Sequence, residues 1–353
     1  MARNLWMVFF IGLVATGFAY AQMEQPFTPG NLVLVDAADD MLIEVALPGS
    51  PDATEAQVVQ VIRWELGDTS RRRPLGVTFD PNGTCYIGLT SVPTSATEAV
   101  EFPSGRGEIL RISSNGALDF FILDPEVTKG TWLSSFAPNE LFLMSNGPKP
   151  PFPSHMFRYS FSGGEISQIT PFDVTETPQG NGDGGSGKAL ILPDGRILIP
   201  SETDSWINIY NESGGAAIDQ IPTEKAYRSL AYLKDSNEML AIPTSNSSVD
   251  RIDIGGNILG SFDFTLDGLG GVWNFTLIDD GSERFIATNH NGPAGSNSQI
   301  FIYDSSELED LPFPQILQIV GLENFGDADG FANQLFDHAI VPEPSNVNIW
   351  SLY

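Results

Sequence analysis

A four-strand unit repeats along this chain, and the repeat limits the folds that the chain can adopt. Each copy has an apolar strand, a tight Asp/Asn/Gly turn, a second apolar strand with a polar end, and two further strands joined by a Gly turn. The copies are clearest at Leu75–Leu123, Ala189–Pro222 and Leu230–Phe264. Units of this length built from four short strands are typical of a β-propeller, in which each unit forms one blade. The sequence therefore predicts an all-β fold of four-stranded antiparallel blades.

The strands can be assigned to six blades in a ring that strands from both termini close. The first blade, Asn31–Trp64, has three strands, and the C-terminal segment FANQLFDHAIVP would supply its missing innermost strand. Closure of this kind removes exposed sheet edges. The tail AIVPEPSNVNIWSLY also aligns with Arg196–Tyr210, which leaves seven blades as the alternative. The other blades are Leu75–Leu123, Trp132–Phe172, Gly187–Pro222, Ala226–Phe264 and Gly271–Val320.

The N-terminal residues have the pattern of a secretory signal peptide. Arg3 precedes an uncharged apolar run, Leu5–Phe18, and an A-x-A cleavage site follows at Ala19–Ala21. The run is too short for a good membrane span, so we expect an exported protein with no span after cleavage. The expected organisation is a signal peptide at 1–21, one propeller domain at 22–345, and a tail or last strand at 346–353.

Charge and cysteine content narrow the partners and the setting. The formal net charge is −28, which repels nucleic-acid phosphates and anionic lipid surfaces. We therefore expect neither a nucleic acid nor a membrane surface as a partner. The single cysteine, Cys85, lies in an apolar strand and is interpreted as a small buried hydrophobic residue. Export without an intrachain disulfide favours bacterial secretion.

The connections between strands fall into two classes that strand direction places on opposite faces. Short turns at Asp80, Pro193 and Lys234 join the first two strands of their blades and define a turn face. Long polar connections, such as Thr90–Gly107 and Ser145–His155, join second to third strands and emerge on the opposite face. We call this the loop face. Long loops on a rigid scaffold are where function is expected.

Polar residues end the second strands on the loop face, and in a closed ring they should surround the mouth of the central channel. Asp36, Asn146, Glu202 and Asn289 are of the types that bind Ca²⁺ through oxygen. The pattern predicts a divalent-cation site, with calcium as the best fit. The alternative is that these residues only satisfy hydrogen bonds in turns.

The histidines and loop aromatics give weaker indications. His155, His290 and His338 lie in separate blades without paired spacing, which does not support a zinc site. His290 lies on the loop face and is the candidate general base, with a solvated loop histidine as the alternative. Phe152 and His155, in the stiff segment GPKPPFPSH, are the candidate platform for stacking on a sugar.

The repeat units also resemble a known class of propellers. LGVTFDPNGTCYIGL followed by GEILRISSNGALDFF is similar to the NHL and gluconolactonase-like six-bladed propellers, and the likeness covers nearly all of Asn31–Pro342. For the lactonases of that class the resemblance implies a central divalent metal held by one Glu, two Asn and one Asp. Glu202, Asn146, Asn289 and Asp36 match these types.

A second resemblance concerns the C-terminus. The segment VPEPS at Val341–Ser345 resembles the start of a PEP-CTERM sorting signal of exported bacterial proteins. Such a signal continues into a transmembrane run and a basic end, and Asn346–Tyr353 has neither. The resemblance implies a bacterial, exopolysaccharide-associated setting, and a strand that ends in VPEP is the alternative.

The sequence thus leaves two functional hypotheses. The first is an exported, monomeric, noncatalytic propeller that binds a glycan, a protein or a divalent cation through its loop face. The alternative is a metal-dependent lactonase-like hydrolase or lyase that uses the central polar ring. An enzyme should bring several carboxylate and amide oxygens within roughly 2.3–2.6 Å of a common point, as calcium requires. A scaffold should have scattered polar strand ends and a plugged or featureless channel.

Overall fold

A computed structural model describes residues 25–37, 39–63, 71–92, 107–116, 118–123, 130–145, 155–174, 187–245, 248–263, 272–278, 284–289, 299–304, 315–325 and 335–343. The regular structure in these ranges is β-strand, apart from one turn of 3₁₀ helix at Leu322–Phe325. The predicted leader, residues 1–21, and the tail, 346–353, lie outside the described residues. Among the residues described, no helix has the length and apolar character needed to cross a membrane.

The strands are short and follow one another closely along the chain. They are β1 (Leu32–Asp36), β2 (Met41–Ala46), β3 (Glu55–Arg63), β4 (Arg71–Phe79), β5 (Cys85–Val92), β6 (Gly107–Ile112), β7 (Leu118–Leu123), β8 (Gly130–Ser134), β9 (Glu140–Ser145), β10 (His155–Ser162), β11 (Glu165–Asp173), β12 (Leu190–Ile191), β13 (Ile197–Pro200), β14 (Trp206–Tyr210), β15 (Gly215–Ala216), β16 (Asp219–Pro222), β17 (Tyr227–Leu233), β18 (Glu238–Pro243), β19 (Ser248–Asp253), β20 (Ile258–Asp263), β21 (Val272–Ile278), β22 (Arg284–Asn289), β23 (Gln299–Asp304), β24 (Gln315–Val320) and β25 (Leu335–Ile340).

These strands form sheets built from four-stranded antiparallel units. Three sheets are single units, with the orders β4-β5-β6-β7, β12-β13-β14-β16 and β17-β18-β19-β20. A fourth sheet adds β15, through a short parallel pair, to the unit β8-β9-β10-β11. The fifth has eight strands, in which β21-β22-β23-β24 is joined to β3-β2-β1-β25 by a parallel pair of β24 with β3. The predicted all-β propeller arrangement of four-stranded sheets is confirmed.

The two ends of the described chain meet in one sheet. β25 pairs antiparallel with β1, with Leu34 opposite His338, and takes the innermost position that the first unit lacks. The prediction that a C-terminal strand supplies the innermost strand of the first unit is therefore confirmed. Ala339 and Ile340, which the seven-blade alignment placed in a second strand, lie in this innermost strand instead.

The innermost strands surround the axis, and apolar layers fill the space between successive sheets. Residues of β25 contact β4, β4 contacts β8, β17 contacts β21, and β21 contacts β25 again. One layer includes Cys85 of β5, Ala339 of β25 and Val341, which follows β25. Cys85 is fully buried, as predicted, and burial raises the pKa of its thiol well above the usual value. Each large apolar side chain buried in this way contributes roughly 1.5–3 kcal/mol.

Hairpin tips of two units pack on the preceding unit through glycine. Gly214 and Gly256 both have positive φ, +78° and +88°. A Cβ atom would lie 2.4 Å from the Pro171 carbonyl oxygen at the first position and 2.2 Å from the Pro222 carbonyl oxygen at the second. These distances exclude a methyl group, so the tips can approach the neighbouring backbone only as glycine.

Candidate functional site at the centre of the ring

Five residues from separate parts of the chain form a buried polar network on the axis. The carboxylate of Asp337 is fully buried, and its Oδ1 accepts a hydrogen bond of 2.6 Å from Asn274 Nδ2 and lies 3.3 Å from Lys188 Nζ. Its Oδ2 accepts a bond of 3.0 Å from the backbone N–H of Val77. Asn274 Oδ1 in turn accepts a bond of 2.8 Å from Ser229 Oγ. We call Val77, Lys188, Ser229, Asn274 and Asp337 the axial network.

The local structure of the innermost strands explains why these residues meet. Ser229, Asn274 and Asp337 are each the third residue of an innermost strand, β17, β21 and β25. Equivalent positions in successive units should point the same way, because side chains alternate between the two faces of a strand. The strands β4, β8, β17 and β21 also have a register irregularity near their starts. Such irregularities re-aim side chains, here toward the axis.

A second polar cluster adjoins the network on the loop-face side. Glu202, just after β13, accepts a hydrogen bond of 3.3 Å from Trp132 Nε1, and its Oε1 lies 3.6 Å from Arg228 Nε. Burial lowers the pKa of Arg228, and Glu202 partly opposes that effect. The backbone carbonyl of Arg228 accepts a bond of 3.0 Å from the N–H of Lys188, so the two clusters are contiguous. A Cβ at Gly187 would lie 1.9 Å from that carbonyl oxygen, so this approach requires glycine.

The charges of the two clusters balance. Lys188 and Asp337 form one ion pair, and Arg228 and Glu202 form the other. Removing a charge from water is costly unless it is paired and hydrogen-bonded, and the buried Asp337 carboxylate meets both conditions. The charged side chains of these two clusters are thus paired with one another.

The structure describes the side chains of two of the four predicted metal ligands, Asp36 and Glu202. Asp36 ends β1 with its side chain fully buried, and its Oδ1 accepts a bond of 3.3 Å from the N–H of Asp39. Glu202 has the partners given above. Asn289 ends β22, but its side chain is not described, and Asn146 lies outside the described residues. The cation site that these four residues would form stays a prediction. Within the described ranges, no group of three or more His, Cys, Asp or Glu side chains could hold a metal ion.

His338 is a buried residue of the core, a position that the sequence analysis does not predict. Its Nε2 lies 3.0 Å from the Ile286 carbonyl oxygen and its Nδ1 lies 3.3 Å from Thr288 Oγ1. Burial lowers the pKa of His338 to about 4, so the ring is neutral at neutral pH. The candidate general base His290 and the platform residue Phe152 lie outside the described residues. His155 begins β10, and its side chain is not described.

The sequence reading did not identify the axial network as a site. Its one local signal is a polar residue in an otherwise apolar innermost strand, as in VWNFTLI with Asn274 and LFDHAI with Asp337. The partners of these residues come from other units, which sequence spacing does not reveal.

Comparisons with known proteins show similarity at the level of structure. No family model matches the chain, and no curated protein matches it. A protein of unknown function from Bacteroides caccae is similar with a TM-score of 0.57 and 14% identity, over 90% of this chain and 100% of that one. A chain of a nidogen/laminin complex has a TM-score of 0.56 and 11% identity, over 88% and 98% of the two chains.

An enzyme is also among the similar structures. A catalytically inactive virginiamycin B lyase from Staphylococcus aureus, solved with quinupristin, has a TM-score of 0.50 and 12% identity, over 83% of this chain and 84% of that one. At these identities the likeness shows the fold alone. The chain therefore has a propeller-like all-β fold that both a binding complex and a lyase share.

Proposed function

We propose that this chain is an exported, noncatalytic propeller of six blades that binds a glycan or a protein through its loop face. Six blades are supported by the parallel junction of β24 with β3, at which the eight-stranded sheet can be divided into two antiparallel units. Counted with the four other sheets, these two units would give six. Export is supported by Arg3, the apolar run Leu5–Phe18 and the A-x-A site.

The observation that carries the binding role is the pairing of the charged side chains in the two central clusters. An enzyme of the lactonase type needs convergent oxygens that are available to a cation at the centre of the ring. Here Asp337 already accepts from Val77, Asn274 and Lys188, and Glu202 is engaged by Trp132 and Arg228. The predicted loop face, with its long connections, is then the surface proposed to bind the ligand.

Charge limits the class of partner. With a formal net charge of −28, the protein repels polyanions, attracts basic surfaces and does not repel neutral ones. A neutral glycan or a protein with a basic patch fits this field. Phe152 and His155 are the proposed stacking platform for a sugar.

The alternative function is a metal-dependent lactonase-like hydrolase or lyase, with calcium held by Asp36, Asn146, Glu202 and Asn289. One observation favours it: Asp36 and Asn289 each end the second strand of their unit, at the same end of the ring. In this alternative, Glu202 must exchange its protein partners for the cation.

The test is a binding screen of the 22–353 protein against arrays of neutral and acidic glycans and of extracellular proteins. Two matched charge reversals then locate the contact surface. Glu224→Lys changes an exposed residue before β17 on the loop face, and Glu212→Lys changes an exposed residue after β14 on the turn face. The change of field near the contact surface should alter the affinity in the first variant and leave it unchanged in the second. A loss confined to Glu212→Lys would contradict the proposal, as would lactone hydrolysis that Glu202→Gln abolishes.

A further inference from the structure

His338 lies where the ring closes. It belongs to β25, and its contacts reach β21 and β22 at the opposite end of the same eight-stranded sheet. The imidazole Nε2 lies 3.0 Å from the Ile286 carbonyl oxygen, and Nδ1 lies 3.3 Å from Thr288 Oγ1. Thr276 Oγ1 also donates a hydrogen bond of 3.0 Å to the His338 carbonyl oxygen. Three contacts from one residue thus hold the last strand of the ring to its neighbour.

The neutral imidazole suits these contacts and the charged form does not. In the neutral ring, Nε2–H donates to the Ile286 carbonyl and Nδ1 accepts from the Thr288 hydroxyl. Protonation places an N–H on Nδ1 against a hydroxyl that was donating, and it introduces a charge into a fully buried site. The hydroxyl must turn, and the charge needs compensation.

Few charged groups near the imidazole could compensate a positive charge on His338. Among the described side chains, the charged groups that act on the pKa of His338 are Asp337 on its own strand and Lys188 from the segment before β12, and their effects have opposite signs. β21 and β22 present Thr276, Ile286 and Thr288, and β1 places Leu34 opposite His338. β4 also packs against β25 and contributes the Val77 N–H that binds Asp337, and none of these groups titrates. Burial is the largest influence and lowers the pKa of His338 to about 4.

We propose that β25 is an acid-sensitive latch: protonation of His338 releases the strand from β21 and β22 and opens the ring at its closing contact. The unfolded or released strand takes up the proton more readily than the closed ring, so falling pH favours the open state. The latch does not depend on which ligand the loop face binds. It gives an exported protein a response to acid that acts through its fold.

The chain contains its own reporter for this opening. Cys85 is the only cysteine, it is fully buried, and it packs in one cluster with Ala339 of β25 and with Val341 just beyond. Release of β25 removes Ala339 and Val341 from this cluster, and we expect the thiol to become accessible as a result. A thiol reagent therefore measures the closing contact without any engineered probe.

The experiment measures Cys85 labelling by 4,4′-dithiodipyridine, a disulfide that reacts with thiols in acid, from about pH 7.5 to about pH 4.5. Rates are divided by the rate for the urea-unfolded chain at the same pH, which removes the intrinsic pH dependence of the thiol. In the wild type the normalised rate should rise by up to about tenfold per pH unit as the pH falls below about 6.5. It should stay flat in His338→Gln, whereas the matched variant His155→Gln/His290→Gln should keep the full rise.

Two outcomes overturn the latch: a flat rate in the wild type, or a rise that His338→Gln leaves intact. Hydrogen exchange on the wild type, corrected for intrinsic rates, separates the latch from general unfolding and is available even if His338→Gln does not fold. Peptides covering β25 and β22 should lose protection at higher pH than peptides covering β10. Simultaneous loss in all of these peptides would refute a local opening.

Discussion

Replacing Asp337 with asparagine keeps the shape of the side chain and removes its charge. The carboxylate is fully buried and is the shared acceptor for Lys188, Asn274 and Val77. Breaking a buried ion pair by removing one partner costs about 3–5 kcal/mol, because the other charge is left uncompensated. The Lys188 side chain keeps 16% of its exposure, which places its share at the lower end of that range. The amide N–H of the new side chain also faces groups that donated to the carboxylate, so at least one of these hydrogen bonds is lost. A hydrogen bond to a charged group is worth about 1.5–3 kcal/mol.

We therefore expect Asp337→Asn to lower the free energy of unfolding by about 3–5 kcal/mol. The assay is urea denaturation followed by tryptophan fluorescence, with the slope compared between variants to verify that the transition stays two-state. The matched control is Asp194→Asn, which breaks a pair with Arg196 whose side chains are 53% and 38% exposed. Exposed pairs contribute less than about 1 kcal/mol, so this control should be close to the wild type.

The reasoning also predicts coupling within the network. Lys188→Met should cost less in the Asp337→Asn background than in the wild type, because the charge that Lys188 compensates is already gone. If the free energy of unfolding of Asp337→Asn lies within about 1 kcal/mol of the wild-type value, the axial network contributes little to the stability of the fold.

Three further predictions follow from other parts of the structure. Gly214→Ala should destabilise by about 2–3 kcal/mol more than Gly215→Ala, since both have positive φ but only the first places a Cβ against backbone; equal melting temperatures would contradict this. Tyr227→Phe removes a bond of 2.9 Å to buried Asp250 and should cost about 1–2 kcal/mol in urea denaturation. Because the pKa of His338 is lowered in the folded protein, the unfolded chain binds the proton first as the pH falls. The free energy of unfolding should therefore fall by about 3 kcal/mol between about pH 6.5 and pH 4. A pH profile of stability that His338→Gln leaves unchanged would be inconsistent with this prediction.

The fold was accessible from sequence because its signals are local. Turn residues with positive φ recur at Gly83, Gly195 and Asn237, all in hairpins joining the first two strands of a unit. Apolar runs between such turns predict strands, and a first unit with three strands predicts a fourth from the C-terminus. The pairing of β25 with β1 bears out that inference.

The centre of the ring was not accessible, because its contacts are not local. Val77 and Asp337 are separated by 260 positions in the chain, and Trp132 and Glu202 by 70. Glu202 was predicted as a metal ligand from its place after a strand, whereas its partners Trp132 and Arg228 come from other units. β15 was also missed, since two residues, Gly215 and Ala216, show no periodicity.

The most direct test of the central claim is a thermal melt of the 22–353 protein in EDTA and then in calcium, magnesium, manganese or zinc. A metal that binds the native state raises the melting temperature by an amount set by its concentration relative to its dissociation constant. Because Glu202 is already paired with Trp132 and Arg228, the metal-induced change should be the same in the wild type and in Glu202→Gln. A rise with one metal that Glu202→Gln abolishes would contradict the account and place a cation at the mouth of the channel.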